Sequence, residues 1–420
     1  MVDAKYAHSA RRRTGEGKSS MRSAIILLVP LVALLAACGD GNGLDPSPSP
    51  SLAPTEGVTV PHSPSASPRP EPGAQRIAYI GTDMDVWIID ENGSGNQKLF
   101  DLPTESGDTV QNLQWAPDGT KFAVTRSPKD VVYIINAGGD QLLEVPAVSF
   151  LAWSPSSDTF IVMRPPALEV EAAILRVNLA GEIVTEVPTT DPPNTSFHAS
   201  LSPDGRRLAF LRDIGGDGLC GAIQGFLVDF ETRDTQPADP AEEPVSCGNG
   251  PPIFSPTDPS LVAYGNGLLD PLGNRRASLP GNAVRWSQDG RLLVLCVPAS
   301  GGHGQLYRVD SRSTALEFDY TPAPDGPCWM HLMGWNAISP DGGLLAVHER
   351  STGTARILGV ATGSEHEVSV LPGGAQSLQF SPDGRYLLVM QLSKASVVDT
   401  TRAAVVLTAE ASEAAWQPQL

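Results

Sequence analysis

Five cysteines, seven histidines and a scatter of aspartates are the residues of this 420-residue chain whose chemistry could reach beyond packing. Cys220, Cys247, Cys296 and Cys328 lie in the body of the chain, and four thiols in an oxidising compartment allow three disulfide pairings. Four reduced, partly buried thiols are the alternative. No CxxC or HxxxH spacing gathers them on zinc. His198 and His331, with Trp335 close behind, are candidates for a binding or metal-holding mouth. The plainer reading is two loop histidines. Asp83 with Asp85, and Asp213 with Asp217, lack the alternating spacing of a calcium loop and read as solvated turn residues. There is no HExxH, no Gly-x-Ser-x-Gly elbow and no phosphate-cradling glycine loop, so no catalytic residue, metal or cofactor is expected.

The elements that would position such residues are short. Gly (41) and Pro (38) together make nearly a fifth of the chain, which suits many strands and turns rather than long helices. The formal charge is -18. Residues 1–37 hold six Lys or Arg against two acids, so the remainder is more acidic still. Such a body repels phosphate backbones and anionic headgroups, and nucleic acid is not an expected partner.

Arg11, Arg12, Arg13, Lys18 and Arg22 precede an apolar run from Ala24 to Ala37 that ends in Leu35-Ala36-Ala37-Cys38. At 14 residues the run is shorter than the roughly 20 that span a bilayer and matches a secretory leader. Residues 1–37 are therefore expected to be an export signal, with Met21 an alternative start to Met1. Arg11-Arg12 lacks the apolar residues that follow a twin-arginine signal, which favours the general secretory route. Leu-Ala-Ala-Cys resembles the bacterial lipobox, and the resemblance implies cleavage between Ala37 and Cys38 with diacylglycerol on the Cys38 thiol. An ordinary signal with an incidental cysteine is the alternative. Residues 38–75 carry nine Pro and six Ser, too little apolar surface to offset ordering entropy. They read as a tether reaching on the order of 110 Å in polyproline geometry.

From residue 76 onward one pattern recurs: an apolar leader, Ser-Pro-Asp-Gly or a variant, then an apolar strand. The leaders are Trp115, Trp153, Leu201, Phe254, Trp286, Ile338, Phe380 and Trp416, spaced by 32 to 53 residues. Pro presets the first corner of a turn, Asp bonds to the local backbone, and Gly supplies the positive φ at the exit. Strands such as Lys121-Phe122-Ala123-Val124 and Leu344-Leu345-Ala346-Val347 follow, and most units hold a further strand such as Val131–Ile135. A period of this size predicts a repeat array of four-stranded units.

The tryptophan-Ser-Pro-Asp-Gly turn, the Leu-Ala-Phe-like strand and the later Tyr-Val-Met-Asp-like strand resemble the TolB-like, WD40-like propeller repeats of bacterial envelope proteins. The resemblance covers residues 76–420 and implies an all-β, eight-bladed β-propeller of four-stranded antiparallel blades. Seven blades are the alternative, if the weak unit from Ile253 to Leu279 merges with a neighbour. Trp416-Gln417-Pro418 has no strands after it and Arg76–Ile80 has no turn before it, so the last strand is expected to close the first blade. In a propeller the connections after the second strand and between blades share one face, which selects Cys220–Cys247 and Cys296–Cys328 as the expected pairs.

The expected function is that of an exported, lipid-anchored, monomeric, non-catalytic interaction or scaffold module on the outer face of the bacterial cell membrane. TolB-like proteins are linked to envelope assemblies, which implies an envelope protein or wall polymer as partner and no membrane contact beyond the lipid. The alternatives are a channel-mouth enzyme of lactonase, lyase or glycosidase type, or a binder of wall carbohydrate through exposed Trp. Inner-strand stretches such as Asn112-Leu113-Gln114, Val284-Arg285 and Ser377-Leu378-Gln379 are sparse in the acids and histidines that the enzyme reading needs.

Overall fold

Short runs rich in β-branched and aromatic residues, punctuated by Pro-Asp-Gly corners, become antiparallel strands joined by tight turns. The computed structural model describes residues 75–166, 172–189, 199–213, 223–239, 251–297, 303–309, 314–320, 336–349, 354–368 and 375–418. The chain divides into units 1–65 and 66–420, and all described residues belong to the second.

Among the described residues, thirty-two strands form eight four-stranded antiparallel sheets. Blade 1 contains β1 (Arg76–Ile80), β2 (Val86–Asp90) and β3 (Gln97–Phe100). Blade 2 contains β4 (Thr109–Trp115), β5 (Lys121–Ser127), β6 (Val131–Asn136) and β7 (Gln141–Pro146). Blade 3 contains β8 (Ser149–Trp153), β9 (Thr159–Arg164), β10 (Ala173–Asn178) and β11 (Ile183–Pro188). Blade 4 contains β12 (Ala199–Leu201), β13 (Arg207–Asp213), β14 (Ile223–Asp229) and β15 (Asp234–Pro237). Blade 5 contains β16 (Ile253–Phe254), β17 (Val262–Tyr264), β18 (Gly267–Leu269) and β19 (Arg275–Ser278). Blade 6 contains β20 (Asn282–Trp286), β21 (Leu292–Val297), β22 (His303–Val309) and β23 (Thr314–Tyr320). Blade 7 contains β24 (Asn336–Ile338), β25 (Leu344–Glu349), β26 (Thr354–Gly359) and β27 (Glu365–Val368). Blade 8 contains β28 (Ser377–Phe380), β29 (Tyr386–Met390), β30 (Lys394–Asp399) and β31 (Ala404–Glu410), and β32 (Glu413–Trp416) returns to complete blade 1.

This is an eight-bladed β-propeller. The seven-bladed alternative fails because residues 253–278 build their own sheet, with strands of only two to four residues. First strands touch first strands around the ring, as in β8 with β12, β12 with β16, β20 with β24, β24 with β28 and β28 with β32, which places them nearest the axis. Contact of β32 with β4 completes the circle.

Both faces of every blade are apolar, so each blade must be covered twice. Eight clusters of buried side chains, one at each seam between consecutive blades, meet this requirement. Phe122 and Tyr133 pack with Ile80 and Ile88 between blades 1 and 2, for example, and Trp416 packs with Leu388 and Met390 between blades 8 and 1. Between blades 4 and 5, the Tyr264 ring comes so close to Gly225 that a Cβ there would sit 2.8 Å from it, and the Gly225 N–H donates to the Tyr264 hydroxyl.

The Ser-Pro-Asp-Gly turns are built around their serine. Ser202, Ser287, Ser339 and Ser381 are buried, and each hydroxyl donates to the Asp two residues on, at 2.6–2.8 Å. The same oxygens accept the N–H of Arg207, Leu292, Leu344 and Tyr386, five residues on, at 2.8–2.9 Å. Asp Oδ1 then takes the N–H two residues beyond itself, and the closing Gly sits at φ between +71° and +73°. Burial pushes the Asp204, Asp289 and Asp383 carboxyls up, but hydrogen bonds and nearby arginines prevail and hold them below the usual range. At Asp341 the Ser339 hydroxyl and the Gly343 N–H lead in the same direction.

Closure rests on β32. Ile77, Ala78, Tyr79 and Ile80 pair with Trp416, Ala415, Ala414 and Glu413. The Glu413 carboxylate accepts the N–H groups of Asn112 and Leu113 at 3.0 and 2.8 Å, at a point where the β4 register slips and Asn112 takes φ 62°. Burial raises the pKa of Glu413, and the two amides oppose that rise. Tryptophan indoles cross the seams as well: Trp115 donates to Ala415 O, Trp153 to Gln114 O, Trp286 to Ile253 O and Trp416 to Gln379 O, at 3.0–3.2 Å.

Glu413→Ala leaves the buried Leu113 amide without its acceptor, while the exposed Asn112 amide can turn to water, and is expected to cost about 1–2 kcal/mol, read as a lowered urea midpoint. A carboxyl depressed on folding contributes stability that is complete above its unfolded pKa of about 3.9 and is lost as pH falls through the folded value. Thermal stability is thus expected to fall steeply below about pH 4, and Asp341→Asn to show a shallower acid limb than the wild type in thermal melts.

Candidate functional site

Strand period decides which way each inner-strand side chain points. Ala283 and Trp286 on β20 both enter the core between blades 5 and 6, although residues three apart on a regular strand face opposite sides. A register shift between Ala283 and Arg285 resolves the conflict, because the extra residue re-aims the side chains beyond it. Trp286 returns to the core and Arg285 turns away from it. Strand β8 uses the same device between Phe150 and Ala152, bringing Phe150 and Trp153 into one core.

Arg285 faces a cleft of about 310 Å³ bordered by the inner strands of blades 4, 5 and 6. Ser200, Ile253, Phe254, Val284 and Gln288 stand around it. Two seam-crossing hydrogen bonds set its width: Phe254 N–H to Ser200 Oγ at 3.0 Å, and the Trp286 indole to Ile253 O at 3.2 Å. Among the described residues, Arg285 makes no ion pair or hydrogen bond, in contrast to Arg275, which grips Asp239 at 2.7 Å and Asn266 at 2.8 Å. Burial pushes the Arg285 guanidinium below its ordinary pKa. It remains a cation at neutral pH. No Asp, Glu, His or Cys is among the described residues that line the cleft. Its Ser287 hydroxyl is consumed by the turn, and its Ser200 oxygen by the Phe254 amide. The arrangement can bind; it offers no general base.

Most residues singled out by sequence lie elsewhere. Ala37, Cys38, His198, Cys220, Cys247, Cys328, His331 and Trp335 fall outside the described residues, as does Asp217. Cys296 belongs to β21, its backbone opposite Asn282 on one side and Gly304 on the other. Asp85 corrects an expectation: it is a buried group, not a solvated turn residue. Its carboxylate accepts the Leu102 N–H at 2.9 Å and pairs with Lys98 at 2.6 Å. Asp83 takes the Trp87 indole N–H at 3.1 Å and Lys98 at 3.4 Å. Lys98 thus answers the charge that a calcium ion would have answered. Among the described residues, no group of three His, Cys, Asp or Glu side chains is placed to hold a metal.

Sequence reasoning placed Arg285 on an inner strand but gave it no role. The signal available was a cation next to a repeat leader, where the other repeats put Gln114, Ala152, Ser200, Ile253, Ala337, Gln379 and Ala415.

Among solved structures, the chain is similar to a eukaryotic initiation factor at TM-score 0.52 and 14% identity, over 82% of this chain and 98% of that one. It is similar also to the C-terminal WD40 domain of Sif2, at TM-score 0.52 and 17% identity, over 77% of this chain and 92% of that one. At such identities the likeness establishes the β-propeller fold. No protein-family model matches the chain, and no curated protein matches it.

Ser200→Ala removes the acceptor of the Phe254 amide and is expected to lower stability by about 1–2 kcal/mol, measured as a lowered urea midpoint.

Proposed function

We propose that this chain is an exported lipoprotein of the TolB-like kind, held to the outer face of a bacterial membrane through Cys38. Its propeller serves there as a non-catalytic docking module for an envelope protein. The observation that carries the docking role is the seam-by-seam bracing of the ring, where every boundary between blades has its own apolar core. A surface so held loses little freedom when a partner arrives. The outermost strands supply apolar contact as well: Leu142 on β7, Ile183 and Val184 on β11, and Val405 and Val406 on β31 are exposed. The leader, the Leu35-Ala36-Ala37-Cys38 sequence and the Pro-rich stretch after it support export, anchoring and a long tether.

The test is metabolic labelling of the full chain in a bacterial host with an alkyne-tagged fatty acid, followed by crosslinking in intact cells. The wild type is expected to carry the label and fractionate with membranes, whereas Cys38→Ser is expected to lose both properties. An unlabelled wild type would remove the anchor from the proposal, and a chain that captures no envelope protein would remove the docking role.

A further inference from the structure

The cleft at blades 4 to 6 has a composition that asks for a particular ligand. A half-buried guanidinium at the wall of a cleft is available to an anion, and among the described residues no carboxylate meets it. This is uncommon in a chain of net charge -18, where acids are available to pair with most arginines. Arg126, Arg164, Arg207, Arg275 and Arg356 all have carboxylate partners.

We propose that the cleft beside Arg285 is a binding site for an organic monocarboxylate. The guanidinium presents paired N–H donors that match a carboxylate fork. The Ser200 oxygen accepts the Phe254 amide, so its own proton is free to reach the same anion. Ile253, Phe254 and Val284 give an apolar wall for the rest of the molecule. A single cation fits one negative charge; a phosphate dianion would remain half-neutralised inside an acidic body. The two seam-crossing hydrogen bonds hold the cleft open before a ligand enters, which spares the cost of forming it. The carboxylate has two possible sources, a free small acid or an acidic side chain carried by a peptide, and recognition at the cleft is the same for both.

The experiment titrates the full chain at pH 7 by calorimetry and thermal shift with benzoate and butyrate, with their neutral amides benzamide and butyramide, and with acetyl-Ala-Glu-Ala-amide. An acid that binds and raises the melting temperature while its amide does not supports the site. Binding of the free acids identifies a small-molecule source, and binding of the peptide alone identifies a carried one. Arg285→Gln is expected to weaken binding about tenfold to a hundredfold, and Arg285→Lys less. Arg285→Gln is also expected to melt close to the wild-type temperature, since the half-buried guanidinium it removes has no carboxylate partner among the described residues. Equal binding of acids and amides, undiminished binding by Arg285→Gln, or tighter binding of inorganic phosphate than of benzoate would overturn the proposal. Should Arg285→Gln fail to fold, Arg285→Lys and the acid–amide comparison on the wild type decide the matter alone.

Discussion

Every blade in this molecule has two apolar faces and no face to spare. A four-stranded sheet of this kind cannot be stable alone, because covering one side leaves the other in water. The ring is the arrangement in which each sheet is both cover and covered. It exists only if the last seam forms, which makes the pairing of β1 with β32 the condition on which the other seams rest. Glu413 guards that condition with two backbone hydrogen bonds to the next blade, and Trp416 and Trp115 span the seams on either side of the closing strand.

The repeat motif is usually discussed as a turn, and half of its work is that. The other half is lateral. The Trp leader fills a seam and donates its indole proton to the preceding blade, so one residue joins local turn formation to the assembly of neighbours. The serine does something similar inward. Buried and bonded on both sides, it replaces the ladder contacts that the chain gives up when it reverses direction.

Much of this was legible in the chain itself. Eight leaders at comparable spacing announce eight units, and the half-motifs at Arg76 and Trp416 announce the shared blade. The residues 253–278 were ambiguous because strands of two to four residues carry too little periodicity to separate a thin blade from a long loop. The cleft was illegible for a different reason. Alternation predicts where a side chain points only while the period holds, and the slip at Arg285 breaks it without any glycine or proline to mark the place. Nor does a pattern of residue types reveal that a cation has been left unanswered, since that depends on what three separate blades bring near it. The pairing of Asp83 and Asp85 with Lys98, thirteen residues beyond Asp85, is likewise a matter of sheet register and not of local spacing.

The shared blade has a bearing on how the chain acquires its shape. Arg76 and its partner Gln417 are 341 positions apart, so the circle is completed by a contact of very long range in sequence. Topologies governed by such remote encounters reach their native state slowly, since the loop must be closed before its closure is rewarded. During synthesis β1 therefore emerges early and waits, its free edge exposed, until residues 413–416 leave the ribosome. Until that strand arrives, the uncovered edge of β1 is a place where a second copy of the chain could pair.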